Sequence, residues 1–159
     1  MIYIEIRPAL MSEIEVLLSF EQAIIATERP FDNTLKEGHI NYYDLRALIL
    51  SKKSEVLVAV SENKIVGSGY AQILPAKKYQ KHKEYAYLGF MYVDAMYRGM
   101  GINQKIIAKL VDWSKKQNVK EIRLEVYNEN KIALNAYLKV GFAPNLVEMR
   151  LDLSVSDQN

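Results

Sequence analysis

The stretch that decides the fold lies at residues 92–103 and reads Tyr92-Val93-Asp94-Ala95-Met96-Tyr97-Arg98-Gly99-Met100-Gly101-Ile102-Asn103. It follows an aromatic and aliphatic run at 84–93 that predicts a strand, and it leads into an amphipathic pattern at 101–117 that predicts a helix. Two glycines at such a junction allow successive N–H groups to converge, and the helix N-terminus adds unpaired donors and partial positive charge. The stretch therefore predicts a phosphate or pyrophosphate site that Arg98 supplements.

By spacing alone, a tight turn without any ligand explains the two glycines equally well. The three-glycine dinucleotide fingerprint lacks its third glycine here, and the phosphate loop lacks its Gly-Lys-Ser/Thr ending. A second segment favours a binding site, because Asn130, Ala133 and Tyr137 recur at the helical spacing i, i+3 and i+7. These residues share one helix face, on which a small residue leaves room for a ligand. Packing of Ala133 and Tyr137 in the core is the alternative interpretation.

Together, the two segments resemble the GNAT superfamily of acetyl-coenzyme A-dependent N-acetyltransferases. The acetyl-CoA signature of that family, Arg/Gln-x-x-Gly-x-Gly/Ala, aligns on Arg98, Gly101 and Asn103. A later family element aligns on Asn130, Ala133, Tyr137, Gly141 and Phe142. The resemblance covers most of the chain and is strongest over 84–142. It implies an α+β fold, an α/β/α sandwich whose mixed, mostly antiparallel sheet is splayed at the acetyl-CoA site.

The resemblance implies acetyl-CoA as cosubstrate and no metal. Backbone groups of Met91 and Val93 are expected to pair with the pantetheine arm like an added strand, and N–H groups at 98–103 are expected to hold the pyrophosphate. Asn103 replaces the usual small residue, so its side chain must point away from the cofactor. The full set of expected cofactor-binding residues is Met91, Tyr92, Val93, Arg98, Gly99, Met100, Gly101, Ile102, Asn103, Asn130 and Ala133.

The resemblance also implies catalytic groups. Tyr137 is expected to be the general acid that protonates the departing thiolate, since phenol and thiol have reference pKa values of about 10 and 8.5. An N–H near Met91 is expected to stabilise the oxyanion. Where the histone-type branch has a carboxylate base, this chain has Tyr87, which is expected in the acceptor pocket. The base is therefore either water-mediated or Glu28, and Glu28 is alternatively a substrate contact or a solvated loop charge.

Strand parity gives an expectation for the central strand. If the strand is regular, Tyr85 and Tyr87 share the face of Met91 and Val93, while Glu84 faces the other side. The sequence therefore predicts an aromatic acceptor pocket next to the cofactor.

Composition excludes several classes of protein. The 159 residues contain no cysteine, which excludes disulfides, Cys-ligated metals and thiol nucleophiles. A net charge of +2 gives no argument for nucleic acid or membrane binding. Eleven tyrosines stand out among the aromatic residues. Because no export signal or membrane span is recognisable, the expected location is the cytoplasm.

The remaining pattern predicts one domain over residues 1–159. Strands are predicted at 2–7, 55–60, 65–74, 84–93, 121–126 and 146–153, and helices at 12–27, 41–50, 101–117 and 128–140. Ser12 and Asn128 are the expected caps of the first and last helices. The strands at 84–93 and 121–126 flank a helix, so they are expected to be parallel.

These observations lead to the hypothesis of direct acetyl transfer from acetyl-CoA to a primary amine of a small molecule or protein. With no cysteine available, no thioester-linked enzyme intermediate is expected. The alternative is a non-catalytic acyl-CoA-binding sensor or interaction module. The lysine-rich segment 77–83 is read as a solvated loop, with an anion site or nucleic-acid binding as rarer alternatives. The expected partners are acetyl-CoA and the amine, and both monomer and homodimer remain open.

Overall fold

The computed structural model describes residues 2–154 and contains one five-stranded sheet in the order β1-β2-β3-β4-β5. Neighbouring strands are antiparallel except β4 and β5, which are parallel. The strands are β1 (Glu5–Pro8), β2 (Ser54–Ser61), β3 (Lys64–Pro75), β4 (Glu84–Val93) and β5 (Ile122–Arg123). The helices are α1 (Ile14–Glu28), α2 (Leu45–Leu50), α3 (Ile102–Lys116) and α4 (Lys131–Lys139). This arrangement confirms the predicted α+β class and the parallel β4–α3–β5 unit.

Two apolar clusters cover the two faces of the sheet. The first packs α1 and α2 against β2, β3 and β4 through Leu17, Phe20, Leu45, Val58, Tyr70 and Phe90. The second packs α3 on the opposite face through Leu57, Val66, Leu88, Ile102, Ile106 and Leu110. Helices α1 and α3 present apolar side chains at three- and four-residue intervals. Each can therefore bury one apolar stripe against one face of the sheet.

The pairing of β4 with β5 is short and leaves most of one strand edge open. Only two register pairs are present, Ala86 with Ile122 and Tyr87 with Arg123. Strand β4 continues to Val93, so its last six residues have no neighbour on the β5 side in the part of the chain that the structure describes. The two strands therefore separate into a wedge, as the resemblance implied.

A bulge in β4 changes which side chains share a face. The β3–β4 register shifts between Ser68 and Tyr70, and Phe90 adopts a left-handed φ of 58°. Its carbonyl accepts a hydrogen bond from the Ser68 hydroxyl at 3.0 Å. An extra residue in one strand reverses the alternation beyond it. Strand parity across residues 84–93 is therefore lost at Phe90.

The parity expectation for the tyrosines is wrong for this reason. Tyr87 packs against the α1–α2 cluster, whereas Met91 and Val93 pack against the α3 cluster. Tyr85 alternates with Tyr87 before the bulge, and its ring lies under the guanidinium of Arg123 at 4.1 Å. Tyr85 and Tyr87 therefore lie on the opposite face of the sheet from Met91 and Val93.

Gly89 permits a close ring contact beside the bulge. A Cβ at this position would lie 2.6 Å from three atoms of the buried Tyr70 side chain. We expect Gly89→Ala to lower the free energy of unfolding by about 1–3 kcal/mol, because the rigid ring must shift. Urea denaturation measures this loss. In a Tyr70→Leu background the same substitution should cost less, and additive losses would contradict the steric explanation.

Several predicted boundaries need correction. A short 3-10 helix, Met11–Glu13, precedes α1, and Leu10 rather than Ser12 occupies its N-cap. A second 3-10 helix, Arg29–Phe31, interrupts the predicted loop. Helix α2 starts at Leu45, since Asp44 accepts a hydrogen bond from the Ala47 N–H. Asn130, not Asn128, caps α4 through the Ala133 N–H at 3.2 Å.

The predicted strands in the last third of the chain are shorter or missing. Strand β5 contains only two residues instead of the predicted 121–126. The segment 146–153 is exposed and has no regular secondary structure, so the predicted last strand is wrong for the isolated chain. A strand needs a neighbour for its backbone groups, and neither residues 124–126 nor the segment 146–153 makes a backbone hydrogen bond among the described residues.

Candidate active site

The glycine loop between β4 and α3 has the backbone geometry that the sequence predicts. Asp94 begins a 3-10 turn by accepting a hydrogen bond from the Met96 N–H at 2.9 Å. Gly99 and Gly101 have φ values of 80° and 74°, and Gly101 is the N-cap of α3. Within residues 2–154, the N–H groups of residues 98–101 donate no hydrogen bond. The loop thus offers a row of free donors at a helix N-terminus.

The side chains around this loop mainly hold it in place. The Nε of Arg98 donates to the Val93 carbonyl at 3.2 Å and ties the loop to the end of β4. Ile102 is buried under the sheet, which fixes the first turn of α3. Tyr92 stacks on Phe20 at 4.3 Å on the α1 face. Arg98 therefore holds the loop against the end of β4 and also places a positive charge beside the loop.

Helix α4 carries three of the predicted residues, Asn130 at its N-cap and Ala133 and Tyr137 within the helix. The Asn130 side chain accepts the Ala133 N–H as the helix cap. Tyr137 packs against the α3 cluster and contacts Phe142 edge-on at 5.9 Å. Burial, with the charge of Glu28 as a second cause, raises the pKa of Tyr137 to about 12. The hydroxyl therefore keeps its proton at neutral pH.

Glu28 lies among tyrosines at the end of α1. Burial raises the pKa of its half-buried carboxyl, the Tyr42 hydroxyl beside it opposes this rise, and the charge of Asp32 adds to it. The Tyr42 hydroxyl is buried and has no partner with normal hydrogen-bond geometry among the described residues. Burial and the charge of Glu28 together raise the pKa of five tyrosines: Tyr42, Tyr43, Tyr87, Tyr127 and Tyr137. The charge of Glu28 therefore reaches Tyr87 and Tyr137, the two tyrosines of the sequence hypothesis.

Glu21 positions this tyrosine group and was missed by the sequence analysis. Its carboxylate is fully buried on α1 and accepts the N–H groups of Tyr42 and Tyr43 at 2.9 and 2.8 Å. The signal was present, because Glu21 occupies a core position of the stripe that runs through Leu17 and Ile25. A carboxylate on such a stripe needs hydrogen-bond donors from another segment.

Asp32 forms a second carboxylate centre that the sequence analysis did not find. It is buried and accepts hydrogen bonds from the Thr34 hydroxyl at 2.6 Å and the Tyr127 hydroxyl at 2.8 Å. Arg150 approaches it at 3.0 Å. The hydrogen bonds from Thr34 and Tyr127, opposed by partial burial and aided by the charge of Arg150, lower the pKa of Asp32 to about 2. Asp32 therefore carries a full negative charge beside Glu28.

Two clefts of the described surface lie elsewhere. One of about 400 Å³ lies between α1 and the segment 39–46, and another of about 490 Å³ lies between the segment 81–84 and Lys120. Neither is lined by a predicted site residue. The described residues contain no group of three or more side chains arranged to hold a metal ion, and no helix among them is long and apolar enough to cross a membrane.

The wedge and the loop fit the chemistry of a coenzyme A thioester. The open edge of β4 offers backbone groups to an extended amide chain, and the loop offers free N–H donors to a pyrophosphate. Space at Gly99 is also free, since a Cβ there would meet no atom within 4 Å. The family model described as "Acetyltransferase (GNAT) family" matches residues 22–142.

The chain belongs to the acetyltransferase (GNAT) family. Among curated relatives, N-alpha-acetyltransferase 30 of Saccharomyces cerevisiae is 39% identical over 56 residues, which are 35% of this chain. The match spans about a third of that relative's length, 32%.

Solved structures share the GNAT fold over nearly the whole chain. A point mutant of the BH1408 protein from Bacillus halodurans superposes with a TM-score of 0.85 at 23% identity, covering 94% of this chain and 99% of that one. A predicted acetyltransferase from Clostridium acetobutylicum, crystallised with acetyl-CoA, has a TM-score of 0.73 at 20% identity, covering 95% and 97%. At these identities the likeness concerns the fold alone.

Proposed function

We propose that this GNAT protein transfers the acetyl group of acetyl-CoA directly to a primary amine on a cationic small molecule or protein. The observation that carries the proposal is the row of free N–H groups at residues 98–101 beside the open edge of β4. Tyr137, whose hydroxyl keeps its proton, and Glu28, whose carboxyl has a raised pKa, would supply the acid and the base.

The cofactor side is assigned to the wedge and the loop. Backbone groups of Met91, Tyr92 and Val93 line the open edge of β4 and would pair with the pantetheine amides. Free N–H groups from Arg98 to Gly101 would hold the pyrophosphate, with Gly99, Met100, Ile102 and Asn103 completing the turn. Asn130 and Ala133 would form the far wall on α4. Acetyl-CoA supplies an activated acyl carbon when bound.

The chemical step needs a proton acceptor and a proton donor. The amine nitrogen attacks the carbonyl carbon, the C–N bond forms and the C–S bond breaks. Glu28 would take the proton of the ammonium form, directly or through water, because its raised pKa makes it a stronger base than an exposed carboxylate. Tyr137 would give its proton to the departing sulfur and recover one through water from the nitrogen, which loses its second proton as the amide forms. An N–H near Met91 would stabilise the negative oxygen.

The charges around Glu28 favour a cationic acceptor. The charges of Glu28 and Glu125 both reach Tyr87, whereas the charge of Asp32 is paired with Arg150 at 3.0 Å. Aromatic faces beside carboxylates bind ammonium groups through charge and cation–π attraction. The unpaired Tyr42 hydroxyl would accept or donate one hydrogen bond to the substrate. We therefore propose diamines, polyamines or lysine-bearing peptides as the acceptor class, with Tyr87 in the pocket wall.

The deciding experiment measures free CoA thiol released with a panel of amines. Cationic diamines should be acetylated with higher kcat/KM than amino acids or amino sugar phosphates, and mass spectrometry should show one added acetyl group. Acetyl-CoA binding without thiol release for any amine would instead support the non-catalytic sensor. A preference for anionic amines would overturn the acceptor class while leaving acetyl transfer intact.

We expect Glu28→Gln to lower kcat by about 100-fold or more, the low end of general-base effects. The wild-type rate should fall as the pH drops through the raised pKa of Glu28, because the base works only when deprotonated. This fall should begin at a higher pH than for an ordinary glutamate and disappear in the variant. The pH profile of kcat measures both effects. Glu37→Gln, an exposed change in the neighbouring loop, is the matched control, and an unchanged profile in Glu28→Gln would exclude Glu28 as the base.

A further inference from the structure

The positive charges of the chain are concentrated at one end of the sheet. Ten of the 21 lysines and arginines lie in three short segments, 52–53, 77–84 and 115–123, here called the basic end. These segments meet where β4 and β5 begin, since Lys53 pairs with Glu84 at 3.5 Å and the Arg123 guanidinium donates to the Gln80 side chain at 3.1 Å. The net charge of +2 therefore conceals a strongly basic surface.

The two carboxylates of the basic end are already paired with cations. Glu84 pairs with Lys53, and Glu121 accepts a hydrogen bond from the Arg123 guanidinium. Within residues 2–154, no salt bridge is formed by the lysines at positions 77, 78, 81, 83, 115, 116 and 120. Such a set of uncompensated charges attracts anions from outside the chain.

A cleft of about 490 Å³ lies within the basic end, between the segments 81–84 and 118–120. Its lining includes Lys81, Lys83 and Lys120. In the described part of the chain, the backbone N–H groups of these three lysines donate no hydrogen bond to another backbone group. Ammonium groups and free N–H donors around a concave surface are the groups with which proteins hold phosphates. The cleft therefore has the chemistry of a phosphate site.

This cleft is separate from the loop assigned to the pyrophosphate of acetyl-CoA. The glycine loop precedes the first residue of α3, whereas the cleft follows the last one. The 15 residues of α3 span about 22 Å. Strand β4 likewise begins at the cleft with Glu84 and ends at the glycine loop with Val93. The cleft would therefore take a different anion from the one assigned to the loop.

The surroundings of the cleft favour a long anion over a short one. Lysines continue beyond both of its walls, at positions 77 and 78 on one side and at 115 and 116 on the other. The same loop carries Tyr79, which is 80% exposed and belongs to neither apolar cluster. Exposed aromatic rings beside a basic groove stack with the bases of single-stranded nucleic acids. Lysine is depleted in protein–protein interfaces, which argues against an acidic protein as the ligand.

We infer that the basic end binds a single-stranded nucleic acid, with backbone phosphates in the cleft on Lys81, Lys83 and Lys120 and a base stacked on Tyr79. The contact to phosphates carries no sequence information, so the binding depends on charge and strand form rather than on base order. The inference does not depend on acetyl transfer, since binding is measured without acetyl-CoA or an amine.

The first test is fluorescence anisotropy with a labelled oligouridine of about 15 nucleotides, the length of one typical single-strand site. The wild-type protein should bind it with a Kd of about 1–100 μM at physiological salt. Combining Lys81→Gln, Lys83→Gln and Lys120→Gln should weaken binding about tenfold or more. It should also flatten the dependence of log affinity on log salt by about 2, which corresponds to three phosphate contacts on a single strand. Circular dichroism checks that the variant folds.

The matched control removes three exposed lysines from other parts of the surface: Lys36, Lys131 and Lys139. With glutamine at these positions, the affinity and the salt dependence should equal those of the wild type. No binding at about 100 μM protein in low salt, or equal losses in both triple variants, would overturn the inference. Displacement of the oligouridine by acetyl-CoA would place the oligonucleotide on the glycine loop and overturn it as well.

The second test separates stacking from charge. Tyr79→Ala should weaken oligouridine binding about fivefold or more without changing the salt dependence, because stacking contributes no ion release. Tyr3→Ala is the control, since Tyr3 is also 80% exposed, and it should bind like the wild type. Equal binding of a polyglutamate peptide, of anionic lipid vesicles or of tripolyphosphate would reject a nucleic acid as the ligand. So would unchanged affinity in Tyr79→Ala together with equal binding of duplex and single strand.

Discussion

Gly101→Val is expected to weaken acetyl-CoA binding by about 100-fold or more. Gly101 has a φ of 74° at the N-cap of α3, a conformation that a β-branched residue adopts only with strain. A change of the backbone that relieves this strain would turn the N–H groups of the loop away from the proposed position of the pyrophosphate. Hydrogen bonds to charged groups contribute about 1.5–3 kcal/mol each, so loss of two accounts for the expected factor. Titration calorimetry measures the affinity directly.

The matched control for this variant is Gly38→Val. Gly38 has a φ of 80° and free space around it, so the valine imposes similar backbone strain far from the loop. Its acetyl-CoA affinity should equal that of the wild type, while both variants lose stability. Wild-type affinity in Gly101→Val would remove the pyrophosphate from this loop, and equal losses in both variants would indicate a global effect.

Tyr137→Phe is expected to lower kcat by more than tenfold and leave acetyl-CoA affinity nearly unchanged. The phenyl ring keeps its edge contact with Phe142, so the wall of the wedge stays in place. Only the hydroxyl proton is lost, and proton transfer by a positioned group typically contributes about 100-fold or more. Burial raises the pKa of Tyr137 to about 12. Deprotonation of this hydroxyl should therefore not lower the wild-type rate below about pH 11.

The control for Tyr137→Phe is Tyr3→Phe, which removes a hydroxyl from an exposed tyrosine near the start of the chain. Its kcat and KM should match the wild type. Steady-state kinetics with the best amine of the panel give kcat, and calorimetry gives the cofactor affinity. An unchanged kcat in Tyr137→Phe would assign the proton to water rather than to the tyrosine.

Local signals were enough to predict most of the fold. The hairpin of β2 and β3, the whole of β4 and the helix α3 follow from alternation, turn residues and amphipathic spacing, which act within a few residues. The last strand at 146–153 was wrong because a pattern shows what could be buried, not whether a partner surface exists in the same chain. The cap at Asn130 was missed because Asn128 and Asn130 offer the same side chain two positions apart.

The backbone geometry of the glycine loop could be predicted, because the roles of Gly99 and Gly101 depend on adjacent residues. The contacts of Glu21 with residues 42 and 43, and of Asp32 with Tyr127, join segments that are distant in sequence, so no local spacing indicates them. The face of Tyr87 was predicted wrongly because nothing in the sequence of β4 marks Phe90 as the residue with a left-handed backbone.

The bulge at Phe90 also divides β4 into two parts that evolution can vary separately. Tyr87 before it faces the α1–α2 cluster, whereas Met91 and Val93 after it face the α3 cluster. Under the proposed function, the residue beside the acceptor and the residues beside the coenzyme would therefore lie on opposite faces of one strand. A substitution at Tyr87 that suits a new amine would then leave the coenzyme contacts unchanged.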